Sequence, residues 1–290
     1  MKKFKKIHVE ITNICNLKCS FCPPPTLPSL SMKLEEFEKI NEDARKYTKE
    51  LAYHVLGDPL VLSNLKQYLD ISFRHDLKIN ITTTAINIKE KNYEALMHET
   101  LKQVNFSINS YNANSHKKTL DEYLDPIFDF ILYAVKHKQN HFINLRIWNL
   151  DDTQSARDFN QKVFDKANKV FACNISLDDI YLNTPKNIRI APKVFFNFDE
   201  YFDWPSLKND FVSTKGFCYG LDSHFSILSS GVVTPCCLDK DGVINLGNIK
   251  NESLENILAT SRVKNIQKGF REKNVVEELC QKCSYRTRFD

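Results

Sequence analysis

The 290-residue sequence lacks any stretch that predicts a membrane span or a secretory signal. Its opening, MKKFKKIHVEITNIC, is charged, but a lysine pair interrupts the only run in which an apolar signal core would lie. No segment approaches the ~18 apolar residues of a transmembrane helix. We therefore expect a cytoplasmic protein with no membrane partner.

The sequence also lacks a large excess of either charge, since 40 basic and 36 acidic residues leave a net charge of +4. This balance neither demands nor excludes nucleic acid, which we keep as a partner that is not favoured. Hydrophobic residues make up 42% of the chain and charged residues 26%, as in ordinary globular proteins. The chain also lacks internal repeats and low-complexity tracts, so one large domain, alone or with a small companion, is expected.

Strand-like and helix-like patterns alternate through the first two-thirds of the chain. The strand patterns are KKIHVEIT, LAYHVL, LKINITTT, VNFSINS, FINLRIWNL and IRIAPKVFF, and the helical ones cover about 31–47, 62–73, 89–102, 121–138 and 153–172. This alternation predicts parallel strands joined by crossover helices, with chemistry at the carboxyl ends of the strands. The units are too few for an eight-fold barrel, so a partial barrel and an open doubly wound sheet both fit.

The pattern changes after about residue 205. Two short strands flank Ser230–Gly231, another follows the turn at Asp241–Gly242, and helices are expected near 253–272 and 275–281. So small an α+β piece buries little surface by itself, and a metal would help to stabilise it. We predict two domains, 1–205 and 206–290.

Nine cysteines occupy the two ends of the chain, apart from Cys173, which we expect to be a buried small hydrophobe. In a reducing compartment such thiols indicate metal ligands or catalysis and not a disulfide framework. Three lie near the front and five near the end, at 218, 236, 237, 280 and 283. The distribution predicts two metal sites, one at each end of the sequence.

The front cysteines, Cys15, Cys19 and Cys22, fall within eight positions in the loop after the first strand. No His or fourth Cys is nearby to complete the four-ligand shell of structural zinc. A cubane held by three thiolates leaves one iron open for a further ligand. The prolines at 23–25 prevent the loop from continuing as a helix.

Cys15-x3-Cys19-x2-Cys22, with the aromatic Phe21 before the last cysteine, resembles the signature of the radical S-adenosylmethionine (radical SAM) enzymes. The resemblance implies a partial (β/α)6 TIM-like barrel and a [4Fe–4S] cluster whose open iron binds SAM. It also implies an electron donor such as flavodoxin or ferredoxin. In that family an electron cleaves SAM, and the resulting 5′-deoxyadenosyl radical removes a hydrogen atom from the substrate.

The same resemblance implies further SAM contacts. Gly57 and Asp58, in LGDP after the second strand, resemble the Gly-Gly-Glu motif that binds the SAM ammonium, with Leu56 in place of the first Gly. Thr84–Ala85 departs from the family's Thr-Thr-Asn-Gly. The implied cofactor-binding positions are Phe21, Gly57, Asp58, Ser107, Asn109 and Arg146. An arginine suits the SAM carboxylate because its planar fork binds both oxygens.

The C-terminal thiols Cys218, Cys236, Cys280 and Cys283 supply four ligands, which by themselves fit zinc or iron–sulfur equally. Adjacent residues on a strand point to opposite faces, so we expect only one of Cys236 and Cys237 to ligate. The stretch from Phe217 to Arg286 resembles the SPASM/twitch extension, which implies a second [4Fe–4S] cluster. Seven residues follow Cys283, so we expect the one-cluster form, similar in spacing to the dehydrogenases of aminoglycoside biosynthesis.

Four thiolates saturate a cubane and leave it the role of electron transfer. We therefore expect an oxidation, a dehydrogenation or a cross-link, of a small-molecule or peptide substrate. The alternatives are a peptide maturase, an RNA-modifying enzyme, a scaffold that keeps its clusters without catalysis, and a zinc-stabilised binding protein. Three residues are candidate proton acceptors, and the sequence does not choose among Asp203, His54 and Tyr219.

Overall fold

Strands and helices alternate along the chain in a computed structural model that describes residues 3–115, 118–150 and 153–289. The strands in this part of the chain are β1 Lys6–Val9, β2 Glu50–Ala52, β3 Lys78–Thr83, β4 Leu101–Ser107, β5 Phe142–Ile147, β6 Asn187–Ala191, β7 Val194–Phe198, β8 His224–Ile227 and β9 Val233–Thr234. The helices are α1 Leu34–Ala44, α2 Leu65–Arg74, α3 Tyr93–Leu96, α4 Leu120–Lys136, α5 Gln154–Phe171, α6 Leu177–Asn183, α7 Leu254–Ala259, α8 Ser261–Arg271 and α9 Glu278–Gln281.

Each of β1 to β5 leads into a helix, which confirms the predicted alternation. The helix predicted over 89–102 is wrong in extent, because only α3 and a short 3₁₀ turn form there. Leu101 already belongs to β4, where Leu101, Val104 and Phe106 are buried. Burial in the sheet therefore decides the conformation of this segment.

The segment IRIAPKVFF forms the hairpin of β6 and β7 and not the single strand that its apolar residues predict. Pro192 has no amide to donate, and Lys193 adopts the left-handed φ of +60°. Together they turn the chain back on itself. Helix α6, which precedes this hairpin, was not predicted.

The chain divides into two compact units. The first unit contains Met1–Cys15, Cys22–Ile79 and Phe202–Asp290, and the second contains Asn16–Phe21 and Asn80–Tyr201. The boundary at 205/206 between two sequence domains stays a prediction.

In the first unit, β1 lies between two parallel partners, β2 and β8, and β9 pairs antiparallel with β8. Ile7 stands opposite Leu51 on one side and Phe225 on the other, and all three are fully buried. The C-terminal segment thus adds a strand to the sheet that contains β1. Helices α1 and α2 meet through the edge-to-face rings of Phe37 and Tyr68.

In the second unit, β5 lies between the parallel strands β4 and β7, and β6 pairs antiparallel with β7. Phe106, Leu145 and Phe196 occupy successive strands of this sheet and are fully buried. Thr119 begins α4 with a capping box to Glu122, which satisfies amides that the helix leaves open. The helix packs its apolar residues, among them Phe130 against Phe106, on the sheet.

Within the described ranges, no helix combines the length and the hydropathy that crossing a bilayer requires.

Candidate metal and cofactor sites

The loop that carries the front cysteines is closed at its base by backbone and side-chain hydrogen bonds of the first unit. The Asn13 amide nitrogen donates to the Leu30 carbonyl (3.1 Å), and its side-chain Oδ1 accepts from the Leu30 amide (2.7 Å). Asn13 Nδ2 donates to the Pro28 carbonyl (2.8 Å), and the Met32 amide donates to Ile11 (2.9 Å). These bonds fix where the loop leaves the sheet and where it returns.

Gly57 packs directly on the chain that precedes Cys15. Its φ is +73°, and a Cβ at this position would lie 2.3 Å from the Thr12 carbonyl oxygen. The Asp58 amide donates to the Ile14 carbonyl (2.9 Å). The structure therefore brings the predicted SAM-binding pair Gly57–Asp58 to the backbone beside Cys15.

Asp58 also has a local role. Its carboxylate is buried and accepts from the Leu60 amide (3.0 Å), which caps the 3₁₀ turn Pro59–Val61. A capping carboxylate has its position fixed by the backbone.

Glu10, directly after β1, is a site residue that the sequence reasoning missed. It is 1% exposed and accepts three hydrogen bonds, from the Leu56 amide (3.0 Å) and from the amide (3.0 Å) and hydroxyl (2.7 Å) of Ser229. Burial raises the pKa of Glu10, and the bonds from Ser229 partly offset that effect. An acid at the carboxyl end of an alternating strand was the signal available in the sequence.

Cys19 belongs to the second unit, where the loop after β4 holds it. Asn114 Nδ2 donates to Cys19 Sγ (3.1 Å), and Asn114 Oδ1 accepts from the Lys18 amide (2.9 Å). The Ser20 amide donates to the Ala113 carbonyl (2.9 Å). An N–H directed at sulfur suits a thiolate that binds a cluster. Asn114 was not predicted, because nothing near it in sequence indicates this contact.

The other two front cysteines lie in the first unit, where Cys15 is exposed and Cys22 is half-buried. Phe21, in the second unit, stacks on Tyr201 with ring centroids 4.9 Å apart and 27° between the planes. This contact fixes the aromatic side chain that precedes Cys22.

Ser107 and Arg146 stand opposite each other on β4 and β5, near the carboxyl ends of both strands. The Arg146 guanidinium lies over the Trp148 indole, 4.4 Å from the ring centroid. Trp148 Nε1 in turn donates to Asn197 Oδ1 (2.7 Å). Asn109 follows two residues after Ser107 and is buried. The structure thus brings together two of the four predicted contacts of the second unit, Ser107 and Arg146.

The four C-terminal thiols all belong to the first unit and act on one another electrostatically. Burial raises the pKa of Cys236, and the neighbouring thiols of Cys237, Cys218 and Cys280 raise it further. Burial likewise raises the pKa of Cys280, with added contributions from Cys218 and Cys283. Buried thiols in mutual repulsion ionise together only around a positive centre, so this set fits a cluster.

Backbone amides are directed at two of these sulfurs. Burial raises the pKa of Cys218 to about 11, which the Gly220 amide, 3.4 Å from Cys218 Sγ, partly offsets. Burial raises the pKa of Cys283, and the amides of Arg286 and Tyr285 donate to its sulfur and oppose that effect. Amide donors of this kind stabilise the thiolates that hold iron–sulfur clusters.

Gly220 lies between the first two cysteines of the set. A Cβ on Gly220 would lie 3.6 Å from Cys236 Cβ and 3.7 Å from Cys218 Sγ. A cubane binds each thiolate through a different iron, so its ligands surround a centre without meeting at one atom. Among the described residues, no three Cys, His, Asp or Glu side chains are grouped to hold a single metal ion.

The remaining predicted positions are spread over the first unit. Tyr219 is 41% exposed and packs edge-on against Phe217 and Phe289, and Asp203 is exposed. The His54 ring lies 5.6 Å from the His8 ring. None of this selects a proton acceptor.

Cys173, in the second unit, is half-buried, and the prediction of a buried small hydrophobe is wrong. Its thiol, just beyond α5, donates to Asn168 Oδ1 (3.3 Å).

Comparison with protein families agrees with this geometry. The model of the radical SAM superfamily matches residues 9–157, about half of the chain, and that of the SPASM iron–sulfur cluster-binding domain matches residues 218–284. The chain belongs to the radical SAM superfamily. Its radical SAM domain implies SAM and a [4Fe–4S] cluster, and its SPASM domain implies an auxiliary iron–sulfur cluster, which confirms the predicted cofactors.

Curated relatives include the GTP 3',8-cyclase of Aquifex aeolicus (strain VF5), 29% identical over 143 residues that cover 46% of this chain and 44% of that protein. The GTP 3',8-cyclase of Alkaliphilus oremlandii (strain OhILAs) is 24% identical over 176 residues, 57% of this chain and 54% of that protein. The chain thus spans about half the length of these relatives.

Solved structures share the fold. The crystal structure of BtrN in complex with AdoMet and 2-DOIA has a TM-score of 0.62 at 17% identity and covers 98% of this chain and 94% of that one. Streptococcus suis SuiB bound to precursor peptide SuiA has a TM-score of 0.62 at 14% identity, over 99% of this chain and 73% of that one. With the family match, this confirms the partial TIM-like barrel with a SPASM-type C-terminal domain.

Proposed function

We propose that this chain is a radical SAM enzyme that oxidises a small-molecule or peptide substrate by two electrons, in a dehydrogenation or a cross-link. The substrate loses one hydrogen atom, one proton and one electron. The observation that carries the proposal is the set of four C-terminal cysteines within the segment that matches the SPASM domain, in which Cys218 Sγ and Cys236 Cβ lie 3.7 Å and 3.6 Å from one point above Gly220. Four thiolates leave no open iron for substrate, so electron transfer is the role that remains.

The ligand assignment follows from the two groups of cysteines. Cys15, Cys19 and Cys22 hold the first cluster, and Cys218, Cys236, Cys280 and Cys283 hold the auxiliary one. Cys236 is assigned in preference to Cys237 because its Cβ lies beside Gly220, as Cys218 Sγ does, at 3.6 Å and 3.7 Å from the position of a Gly220 Cβ. When bound, SAM and the first cluster supply a 5′-deoxyadenosyl radical, and the auxiliary cluster supplies a one-electron acceptor.

The chain's own residues bind and orient SAM. The backbone of Gly57 and Asp58 holds the ammonium, and its contacts to Thr12 and Ile14 keep that backbone in register with Cys15. Arg146 binds the carboxylate through its fork, and its guanidinium lies over the Trp148 indole, 4.4 Å from the ring centroid. Ser107 and Asn109 contact the ribose, and Phe21 stays ordered against Tyr201.

Small-molecule and peptide substrates both belong to the proposal, since the structural neighbours include one with 2-DOIA and one with a precursor peptide. A carrier such as flavodoxin or ferredoxin supplies the electron for SAM cleavage. The relatives that are GTP 3',8-cyclases give the competing outcome, a cyclisation in place of a dehydrogenation or a cross-link.

Two single variants, Cys22→Ala and Cys280→Ala, test the proposal. After anaerobic reconstitution we expect about eight irons per wild-type chain and about four in either variant. Cys22→Ala abolishes release of 5′-deoxyadenosine from SAM. Cys280→Ala leaves slow, uncoupled release but forms no oxidised product.

Cys173→Ala is the matched control, because Cys173 lies in neither group of cysteines and should keep wild-type iron and turnover. Zinc in place of iron at the front site would contradict the enzyme assignment. Full turnover by Cys280→Ala would contradict the electron-accepting role of the C-terminal thiols.

A further inference from the structure

Arg286 is a buried cation two residues beyond the segment that matches the SPASM domain. It is 1% exposed, and its guanidinium donates to three carbonyls: Nε to Cys280 (2.9 Å), Nη1 to Lys215 (2.7 Å) and Nη2 to Ser213 (2.6 Å). Taking a charge out of water costs several kcal/mol unless hydrogen bonds compensate it, and these three carbonyls do so.

The three bonds connect the two stretches that supply cluster ligands. Ser213 and Lys215 lie shortly before Cys218, and the carbonyl of Cys280 belongs to a ligand itself. One side chain therefore joins its own segment to Lys215 and Ser213, which lie 71 and 73 residues earlier in the sequence. This fork geometry is specific to arginine, because lysine presents a single ammonium.

The same residue adjoins two of the ligands. Its Nε donates to the carbonyl of Cys280, and it follows Cys283 by three residues in the sequence. Two of the four ligand residues are thus next to one buried positive charge.

We propose that the buried charge of Arg286, held beside the four-thiol site by its three hydrogen bonds, makes the auxiliary cluster easier to reduce. The inference rests on the proposed function, in which four thiolates hold a cubane. Reduction adds one negative charge, and a fixed cation beside two of its ligands stabilises the reduced form. One electron then leaves the substrate radical together with a proton, and a flavodoxin- or ferredoxin-type carrier takes the electron onward.

The test is a redox titration of the auxiliary cluster, followed by electron paramagnetic resonance. The parent for this test is the full chain with Cys15, Cys19 and Cys22 changed to Ala, which gives no signal from the first cluster. In this background, Arg286→Gln should lower the ratio of reduced to oxidised cluster at least tenfold at fixed ambient potential. For one electron, a tenfold change is a fall of 59 mV in the midpoint potential of the cluster. Arg286→Lys, which keeps the charge, should stay within about threefold of the parent, roughly half that shift.

Arg288→Gln is the control, because it removes the same charge from an exposed side chain over the Tyr285 ring, and it should leave the ratio unchanged. An unchanged ratio in Arg286→Gln with full iron content overturns the inference. An equal loss in Arg286→Lys and Arg286→Gln, or a loss of iron from both, also overturns it, because charge is then not the determinant. If the parent holds no iron, the proposed function itself fails, and that result is distinct from the others.

Discussion

Gly57 has two reasons to be a glycine, its left-handed backbone and its close contact with the Thr12 carbonyl, and replacing it by Ala tests both. Gly57 has a φ of +73°, and its Cβ would lie 2.3 Å from the Thr12 carbonyl oxygen. Gly242 has a similar φ of +67°, but its Cβ would meet only the side-chain ends of Val232 at 3.3 Å and Leu228 at 3.4 Å. Both residues belong to the first unit, so Gly242→Ala measures the backbone strain without the collision.

The two magnitudes differ by the cost of moving backbone. A left-handed alanine costs roughly 1–2 kcal/mol at either position. At Gly57 the Thr12 carbonyl must retreat by about 0.7 Å to restore a 3.0 Å contact. Overpacking of this kind adds about 1–3 kcal/mol, so we expect a loss of ~2–5 kcal/mol for Gly57→Ala and ~1–2 kcal/mol for Gly242→Ala.

Urea denaturation of both variants measures this difference, and iron content after reconstitution measures its consequence for the cysteine loop. The displaced Thr12 adjoins Asn13, whose bonds to Leu30 close the base of that loop. We therefore expect Gly57→Ala to lose iron from the front site and Gly242→Ala to keep it. Equal destabilisation and equal iron content in the two variants would show that only the φ of Gly57 matters.

Two further predictions concern single side chains of the second unit. Asn114→Leu removes the donor to Cys19 Sγ, so the first cluster should become harder to reduce while its iron content stays; an unchanged midpoint potential in a redox titration would contradict this. Burial lowers the pKa of His141 to about 4, whereas an imidazole in the unfolded chain has a pKa near 6.5. On acidification from pH 7 to pH 5 only the unfolded chain takes up this proton. His141 therefore lowers the free energy of unfolding by ~2 kcal/mol over that range. His141→Phe should remove that acid-dependent loss in urea denaturation, and an unaltered pH dependence would refute it.

Local patterns predicted the elements that carry the site. Period-two alternation places β1, and the cysteine spacing places the loop after it, because both depend on neighbours a few residues apart. Gly57 and Asp58 follow β2 for the same reason. The strand bounds confirm β1 and β2 before these two loops, and the roles of the loop residues stay predictions.

Contacts between distant residues were not predictable from the sequence. Asn114 lies 95 residues from Cys19, and Ser229 lies 219 residues from Glu10. Neither pair leaves a local pattern, since each forms only when the strands have assembled. The β6–β7 hairpin is a different case, because Pro192 is a turn signal that the run of apolar residues around it outweighed.

Glu10 shows why the C-terminal segment is more than an addition to the first unit. One carboxylate oxygen accepts from the Leu56 amide, next to Gly57, and the other accepts from Ser229, which follows β8. Strand β8 itself pairs with β1 along its whole length. The residues before Cys15, the predicted SAM-binding loop and the start of the segment with the four thiols therefore share one sheet and one buried carboxylate. Because leaving a buried donor unsatisfied costs ~1–3 kcal/mol, a shift of any one of these three elements is resisted by the other two.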